Sequence, residues 1–157
     1  VRLADFSIRP GSEADFPLIE GLVRQTRLNP AGLDWRHFVV AFSVDGDFMG
    51  CGQVKPHGRN LPVPTAGTVR ELASIAVRKR YRGLGVASAM IDALLAAHPR
   101  PVYLMCRSGL MPFYENFGFK ILLGDDVPKY FRRVRRVMAG LEVVQQMQET
   151  ILVMGVN

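Results

Sequence analysis

Cysteine, histidine and tryptophan are scarce in this 157-residue chain, with two, three and one copies. Cys51 and Cys106 show neither the close spacing of a redox or zinc motif nor the density of a disulfide framework. They are expected to be free buried thiols of a protein in a reducing cytoplasm. His37, His57 and His98 are scattered along the chain, so no metal site is expected. No run of about 18 apolar residues occurs, which excludes a transmembrane helix and a membrane partner of that kind. Nothing near the start reads as a signal peptide, and the chain opens on Val1 rather than Met, as a trimmed N-terminus would. There is no G-x-x-x-x-G-K-[ST] string, which removes a P-loop. Internal repeats, low-complexity tracts and linkers are also missing. One domain over residues 1–157 is therefore expected.

Acidic residues are the smaller charged group, 14 against 20 Lys and Arg, leaving a formal charge of +6. Such a bias favours an anionic partner. Nucleic acid and a polyphosphate cofactor both satisfy it, and composition does not choose between them. Hydrophobic residues make up 48% of the chain, enough for one core of ordinary size.

The element pattern begins with a short strand, Phe6 to Arg9. Ser12 follows a Pro-Gly break and caps a predicted helix over residues 13–24, with Glu13 and Asp15 in its first turn. Residues 29–35 read as a loop or short helix, and residues 37–44 and 48–56 as strands joined by the turn Asp45-Gly46-Asp47. A Pro-, Gly- and Asn-bearing loop over 57–67 leads to a third strand over 69–78. Residues 86–97 carry Val86, Met90 and Leu94 at helical spacing, and Pro99 and Pro101 stop that helix. Val102 to Cys106 is a near-continuous apolar run suited to a buried parallel strand. A short helix over 109–117 ends at Gly118, a strand covers 119–123, a basic helix 129–147, and a closing strand Ile151 to Val156. An antiparallel meander is thus followed by one strand–helix–strand crossover, and a ligand crevice is expected beside that parallel pair.

Between the third strand and its helix lies Arg80-Tyr81-Arg82-Gly83-Leu84-Gly85. Glycines there admit positive φ and close approach of a ligand. The free N–H groups of the helix start, with the helix dipole behind them, form a pyrophosphate site. Arg78, Lys79, Arg80 and Arg82 add positive charge. The competing reading is a tight turn with a solvated basic patch. A Rossmann site fits poorly, because basic residues separate strand from glycines and a meander precedes them.

These residues resemble the GNAT superfamily of N-acetyltransferases. The family signature [RQ]-x-x-G-x-[GA] stands here as Arg80-x-x-Gly83-x-Gly85, after Glu71-Leu72-Ala73-Ser74-Ile75-Ala76-Val77. Pro112-Phe113-Tyr114-Glu115-Asn116-Phe117-Gly118-Phe119 is similar to the family's "FYEKLGF" segment. The similarity covers roughly residues 5–123, and the three features together at this spacing are specific. One position departs: many members carry Asn six residues before the Phe of that segment, where this chain has Arg107.

The resemblance implies an α/β fold with a mixed, mostly antiparallel central sheet, a splayed parallel strand pair and flanking helices. It implies acetyl transfer from acetyl-CoA to a primary amine: a small amine, a peptide N-terminus or a lysine. The pantetheine arm is expected beside Ile75, Ala76 and Val77. The pyrophosphate is expected on Arg80, Tyr81, Arg82, Gly83, Leu84 and Gly85 and on the helix start Val86, Ala87 and Ser88. A backbone N–H near Val77 is the expected oxyanion donor. Glu71 holds the family's usual base position, and strand parity places it with Ala73 and Ile75 if no bulge intervenes. Its alternative is an ion pair with an arginine such as Arg70. Tyr114 is the expected acid for the departing thiolate, its alternative a packed aromatic beside core-like Phe113, Phe117 and Phe119. Tyr103 and Tyr130 hold no motif position. The competing function is a domain that binds acyl-CoA without turnover and serves regulation or scaffolding. The basic run Lys129 to Arg136 reads first as the solvated face of an amphipathic helix. Nucleic-acid binding is not expected, since no recognition helix or aromatic-studded basic sheet is visible. The closing strand leaves room for pairing with a second subunit.

Overall fold

The computed structural model describes residues 5–58, 68–139 and 150–157. Its strands are β1 (Phe6–Pro10), β2 (Phe38–Ser43), β3 (Phe48–His57), β4 (Val69–Val77), β5 (Val102–Arg107), β6 (Lys120–Ile121) and β7 (Ile151–Val156). Its helices are α1 (Phe16–Gln25), α2 (Val86–Ala97), α3 (Met111–Glu115) and α4 (Lys129–Ala139). The strand order is β1-β2-β3-β4-β5-β7-β6, mostly antiparallel with β4 and β5 as the parallel pair. The chain divides into two compact units, residues 1–55 with 72–99, and residues 56–71 with 100–157.

In the first unit, α1 buries Ile19, Leu22 and Val23 against Phe38, Val40, Phe48 and Cys51. The neighbouring strand residues Ala41 and Met49 pack instead with Val86 and Met90 of α2. Successive strand residues point to opposite faces, so a helix on each face accounts for the unbroken buried run Phe48 to Val54. Gly50 and Gly52 permit this tight packing: a β-carbon at Gly50 would sit 2.6 Å from the Ala76 carbonyl oxygen, and one at Gly52 2.5 Å from Ile75 Cδ1. The helix predicted from residue 13 starts as a 3-10 turn, Glu13–Asp15, and becomes α-helical at Phe16, with Pro17 in the first turn. Gly46 takes φ +86° in the predicted hairpin turn. In β4 the simple parity of Glu71, Ala73 and Ile75 fails, because Ser74 adopts φ +56° and interrupts the alternation. Gln53, fully buried, donates from Nε2 to Ser74 Oγ at 2.8 Å and holds that irregular residue in place.

In the second unit, β7 lies between β5 and β6. It pairs with β5 from Val102↔Val156 to Arg107↔Ile151 and with β6 at Lys120↔Gly155 and Ile121↔Met154. The predicted strand 119–123 is thus shortened to two residues, although Leu122 N–H still donates to the Val153 carbonyl at 2.9 Å. The predicted 109–117 helix is a 3-10 turn, Ser108–Leu110, followed by α3, and Gly118 at φ +89° ends the segment as a glycine should. Of Phe113, Phe117 and Phe119, only Phe119 is fully buried. Phe131 of α4 packs with Val127 and Val153, while the arginines of α4 are exposed, as an amphipathic helix requires. The remainder of the predicted 129–147 helix and most of the 57–67 loop lie outside the described residues. The parallel pairing of β4 with β5 is confined to Glu71↔Tyr103, the narrow contact of a splayed pair.

Candidate active site

The glycine loop of the first unit has the backbone shape that its sequence requires. Lys79–Tyr81 form a 3-10 turn, closed by Tyr81 N–H on the Arg78 carbonyl at 2.9 Å. Gly83 at φ +77° and Gly85 at φ +83° then redirect the chain into α2. Both angles lie in the left-handed region, which costs a residue with a β-carbon about 1–2 kcal/mol. The first helical hydrogen bond runs from Ala89 N–H to the Gly85 carbonyl at 3.0 Å. The N–H groups of Val86, Ala87 and Ser88 precede it, and the helix itself gives them no acceptor. A β-carbon built on Gly83 or Gly85 meets no atom within 4 Å, so open space faces both.

The cations around this loop are less free than their number in the sequence suggests. Arg82 Nε donates to the Val77 carbonyl at 3.0 Å. Arg78 lies over the Phe48 ring, 5.2 Å from its centroid. Arg80 pairs with Asp47 at 2.6 Å and also hydrogen-bonds the Tyr81 hydroxyl, which donates to Asp47 at 2.9 Å. That cluster is exposed, and solvent screening leaves it weak enough for a phosphate to compete. Leu22, Gln25 and Thr26 with Arg78, Lys79 and Arg80 line a cleft of about 550 Å³ in the same unit. The arrangement fits an anion held by backbone N–H groups in a basic setting, as a pyrophosphate would be.

Glu71, in the second unit, does not pair with Arg70. Its Oε2 lies 2.5 Å from His57 Nε2, with side chains 12% and 17% exposed respectively. The His57 ring stacks on Tyr130, centroids 3.8 Å apart and planes 17° apart, and Phe131 meets it edge-on at 6.5 Å. Burial first, and the Glu71 charge second, raise the Tyr130 phenol above its ordinary pKa, so it stays neutral. The sequence reading missed His57 and treated Tyr130 as a bystander. A signal was present: His57 and Glu71 flank the loop between β3 and β4, where consecutive strands bring their loop-side ends together. Histidine counting by metal spacing does not detect a carboxylate partner.

Tyr114 lies on α3 with its ring against Phe113 at 5.1 Å and Phe119 at 6.1 Å. Burial, and to a lesser degree Cys106, push its phenol up to about 12. It is fully protonated at neutral pH and a weaker acid than a free tyrosine. Arg107 ends β5 in an exposed position, its backbone paired with Ile151. Among the described residues no group of three or more metal-ligating side chains occurs, and no helix is long and apolar enough to cross a membrane.

The model of the acetyltransferase (GNAT) family matches residues 7–119. No curated protein matches the sequence. Among solved structures, N-acetylglutamate synthase from Neisseria gonorrhoeae, complexed with coenzyme A and L-arginine, superposes at TM-score 0.68 and 19% identity. That match covers 96% of this chain and 33% of the synthase, so the chain spans about a third of that protein. Rv2747 from Mycobacterium tuberculosis, complexed with coenzyme A, gives TM-score 0.68 and 22% identity over 96% of this chain and 98% of its own. Naa50 from Arabidopsis thaliana, bound to a bisubstrate analogue, gives 0.63 and 14% over 97% and 98%. At these identities the structures establish the fold, and the fold is the mixed, mostly antiparallel one that the sequence led us to expect. With the family model matching residues 7–119, most of the chain, the protein belongs to the acetyltransferase (GNAT) family.

Proposed function

We propose that this protein transfers the acetyl group of acetyl-CoA to a primary amine, with Gly83 to Ser88 binding the donor and Glu71, joined to His57, serving proton removal. The observation that carries the reading is the pair of left-handed glycines opening α2, with open space facing both and three helix-start N–H groups that the helix leaves without an acceptor. Bound acetyl-CoA supplies the thioester carbon that the amine attacks. The protein's part is to orient the pyrophosphate, strip a proton from the amine nitrogen and meet the leaving sulfur. An alkylammonium is almost wholly protonated at neutral pH, so a base raises the reactive fraction. The carboxylate–imidazole pair supplies that base. Tyr114, held neutral, donates a hydrogen bond to the departing sulfur. Three similar folds carry names or ligands of different acceptor chemistry: the N-acetylglutamate synthase, Naa50 with its CoA-Ac-MVNAL analogue, and glucosamine-6-phosphate N-acetyltransferase from Arabidopsis thaliana. The acceptor panel should therefore include amino acids, peptide N-termini, lysine side chains and amino sugars. Incubation with acetyl-CoA and that panel, read by free thiol release, is the test. Amine-dependent thiol release supports the reading, whereas tight acetyl-CoA binding without release from any amine would replace it with an acyl-CoA-binding module.

A further inference from the structure

The contact between His57 and Glu71 carries information about where the proton goes. A carboxylate only accepts hydrogen bonds, so a 2.5 Å approach of Nε2 to Oε2 places a proton on Nε2. In a neutral imidazole the lone pair then resides on Nδ1. Among the described residues no hydrogen bond reaches Nδ1; Tyr130 lies on the flat face of the ring and Phe131 meets it edge-on. Among the described residues, the groups facing the ring are the Glu71 carboxylate from β4, the neutral Tyr130 phenol and the apolar Phe131, both from α4. A proton arriving at Nδ1 creates an imidazolium with a carboxylate on one side and an aromatic face beneath it, and both stabilise the positive charge.

From this geometry we infer that His57 is the catalytic base, that Glu71 is a positioning residue fixing its tautomer, and that Tyr130 fixes its ring plane. The inference rests on the acetyl-transfer reading and moves the base from the carboxylate to the imidazole. The amine nitrogen forms its bond to the acetyl carbon and releases a proton to His57 Nδ1. The carbon–sulfur bond breaks with its electron pair on sulfur, the resulting thiolate takes up a proton from water, and His57 returns its proton to water, so that amide and free thiol are the products.

Three measurements on the full chain decide it. His57→Gln sets an amide nitrogen at the Nε2 position, able to hold Glu71, but offers no basic nitrogen in place of Nδ1. We expect kcat/KM to fall about 10²- to 10⁴-fold at neutral pH, the loss to shrink as pH rises and the free amine becomes abundant, and acetyl-CoA affinity to stay within about twofold. His57→Ala should be inactive and regain turnover when free imidazole is added. Glu71→Gln should lose less activity at neutral pH than His57→Gln, because the imidazole base remains. A folded His57→Gln protein with a loss under tenfold at neutral pH, or a Glu71→Gln protein with the larger loss, would return the base to Glu71 and overturn the inference. So would a folded His57→Ala protein that imidazole does not revive, or a His57→Gln protein that no longer binds acetyl-CoA, since His57 is then structural. If wild type itself releases no thiol with any amine, the acetyl-transfer reading falls and this inference with it. An active wild type beside an active His57→Gln removes only the inference.

Discussion

The Asp15 carboxylate accepts four hydrogen bonds, and its charge has a consequence for stability. Arg9 grips it with both guanidinium nitrogens, Nη1 to Oδ2 at 2.7 Å and Nη2 to Oδ1 at 2.9 Å. Ser12 adds its backbone N–H at 2.7 Å and its hydroxyl at 2.8 Å, both to Oδ2. The Arg9 hydrogen bonds foremost, against the opposing effect of burial and with help from Ser12, lower the Asp15 carboxyl from an ordinary 3.8 to about 2. Close to two pK units at about 1.36 kcal/mol each give a stabilisation of about 2.5 kcal/mol from ionisation. The folded-state pKa is the depressed one, so this stability is fully present above pH 4 and disappears as pH falls through about 2. Asp15→Asn keeps the shape and removes the charge, and its NH2 group faces the N–H donors of Arg9 or Ser12. At pH 7 the variant should be about 2–3 kcal/mol less stable in urea denaturation. For a chain of this size that is roughly 5–10 °C in Tm. Repeated at falling pH, the gap between wild type and variant should close between pH 4 and pH 2. Equal stability at pH 7, or a gap that persists undiminished in acid, would refute the arithmetic and leave Asp15 as a spectator at the entry to α1.

Gly83→Val and Gly85→Val should each weaken acetyl-CoA binding by more than tenfold in calorimetry, because a branched residue resists φ of +77° or +83° and fills the open space in front of α2; unchanged affinity in both would remove the loop from the donor site. The Cys51 thiol, which burial pushes up to about 12, should be inert to thiol reagents at pH 8 until the protein is unfolded, and labelling of the native protein at Cys51 would contradict its burial.

Local patterns carried most of the fold to the reader. The 3–4 spacing of Val86, Met90 and Leu94 became the buried face of α2, and the glycine signature became two left-handed residues at a helix start. These features depend on near neighbours in sequence, where period and turn chemistry act directly. The residues by themselves did not reveal the interruption at Ser74, although the resemblance allows a bulge in this strand: Ser74 has no local reason to take φ +56° and is fixed by Gln53 on a neighbouring strand. His57 and Tyr130 escaped for the same reason. Each is ordinary in its own segment, and only tertiary packing stacks one on the other and sets Glu71 against the ring. The positive charge was legible as a quantity but not in its disposition, since Arg78, Arg80 and Arg82 are each engaged by a ring, a carboxylate or a carbonyl of the protein.

The same packing changes what Tyr114 can contribute. A general acid typically accelerates a reaction about 10²- to 10⁴-fold, provided its pKa lies near that of the group it protonates. With its phenol pushed up to about 12, Tyr114 faces a thiolate whose conjugate acid has a pKa of about 8.5. Full transfer of the proton then runs uphill by about 3.5 units, roughly 5 kcal/mol at about 1.36 kcal/mol per unit. Donation of a hydrogen bond without transfer has no such penalty and is worth about 1.5–3 kcal/mol when the acceptor is charged. The smaller role is therefore the one expected: Tyr114→Phe should lower kcat by about 10- to 150-fold and leave acetyl-CoA affinity nearly unchanged, since the ring and its contacts with Phe113 and Phe119 remain. Because the phenol stays protonated throughout the working range, the variant should show the same basic limb as wild type between pH 7 and 10. Steady-state kinetics across that range, beside a cofactor titration, separates the cases. A basic limb near pH 10 that is present in wild type and absent in Tyr114→Phe would mean that the phenol titrates there and transfers its proton outright. Full activity in the variant would mean that Tyr114 only packs α3 against Phe119.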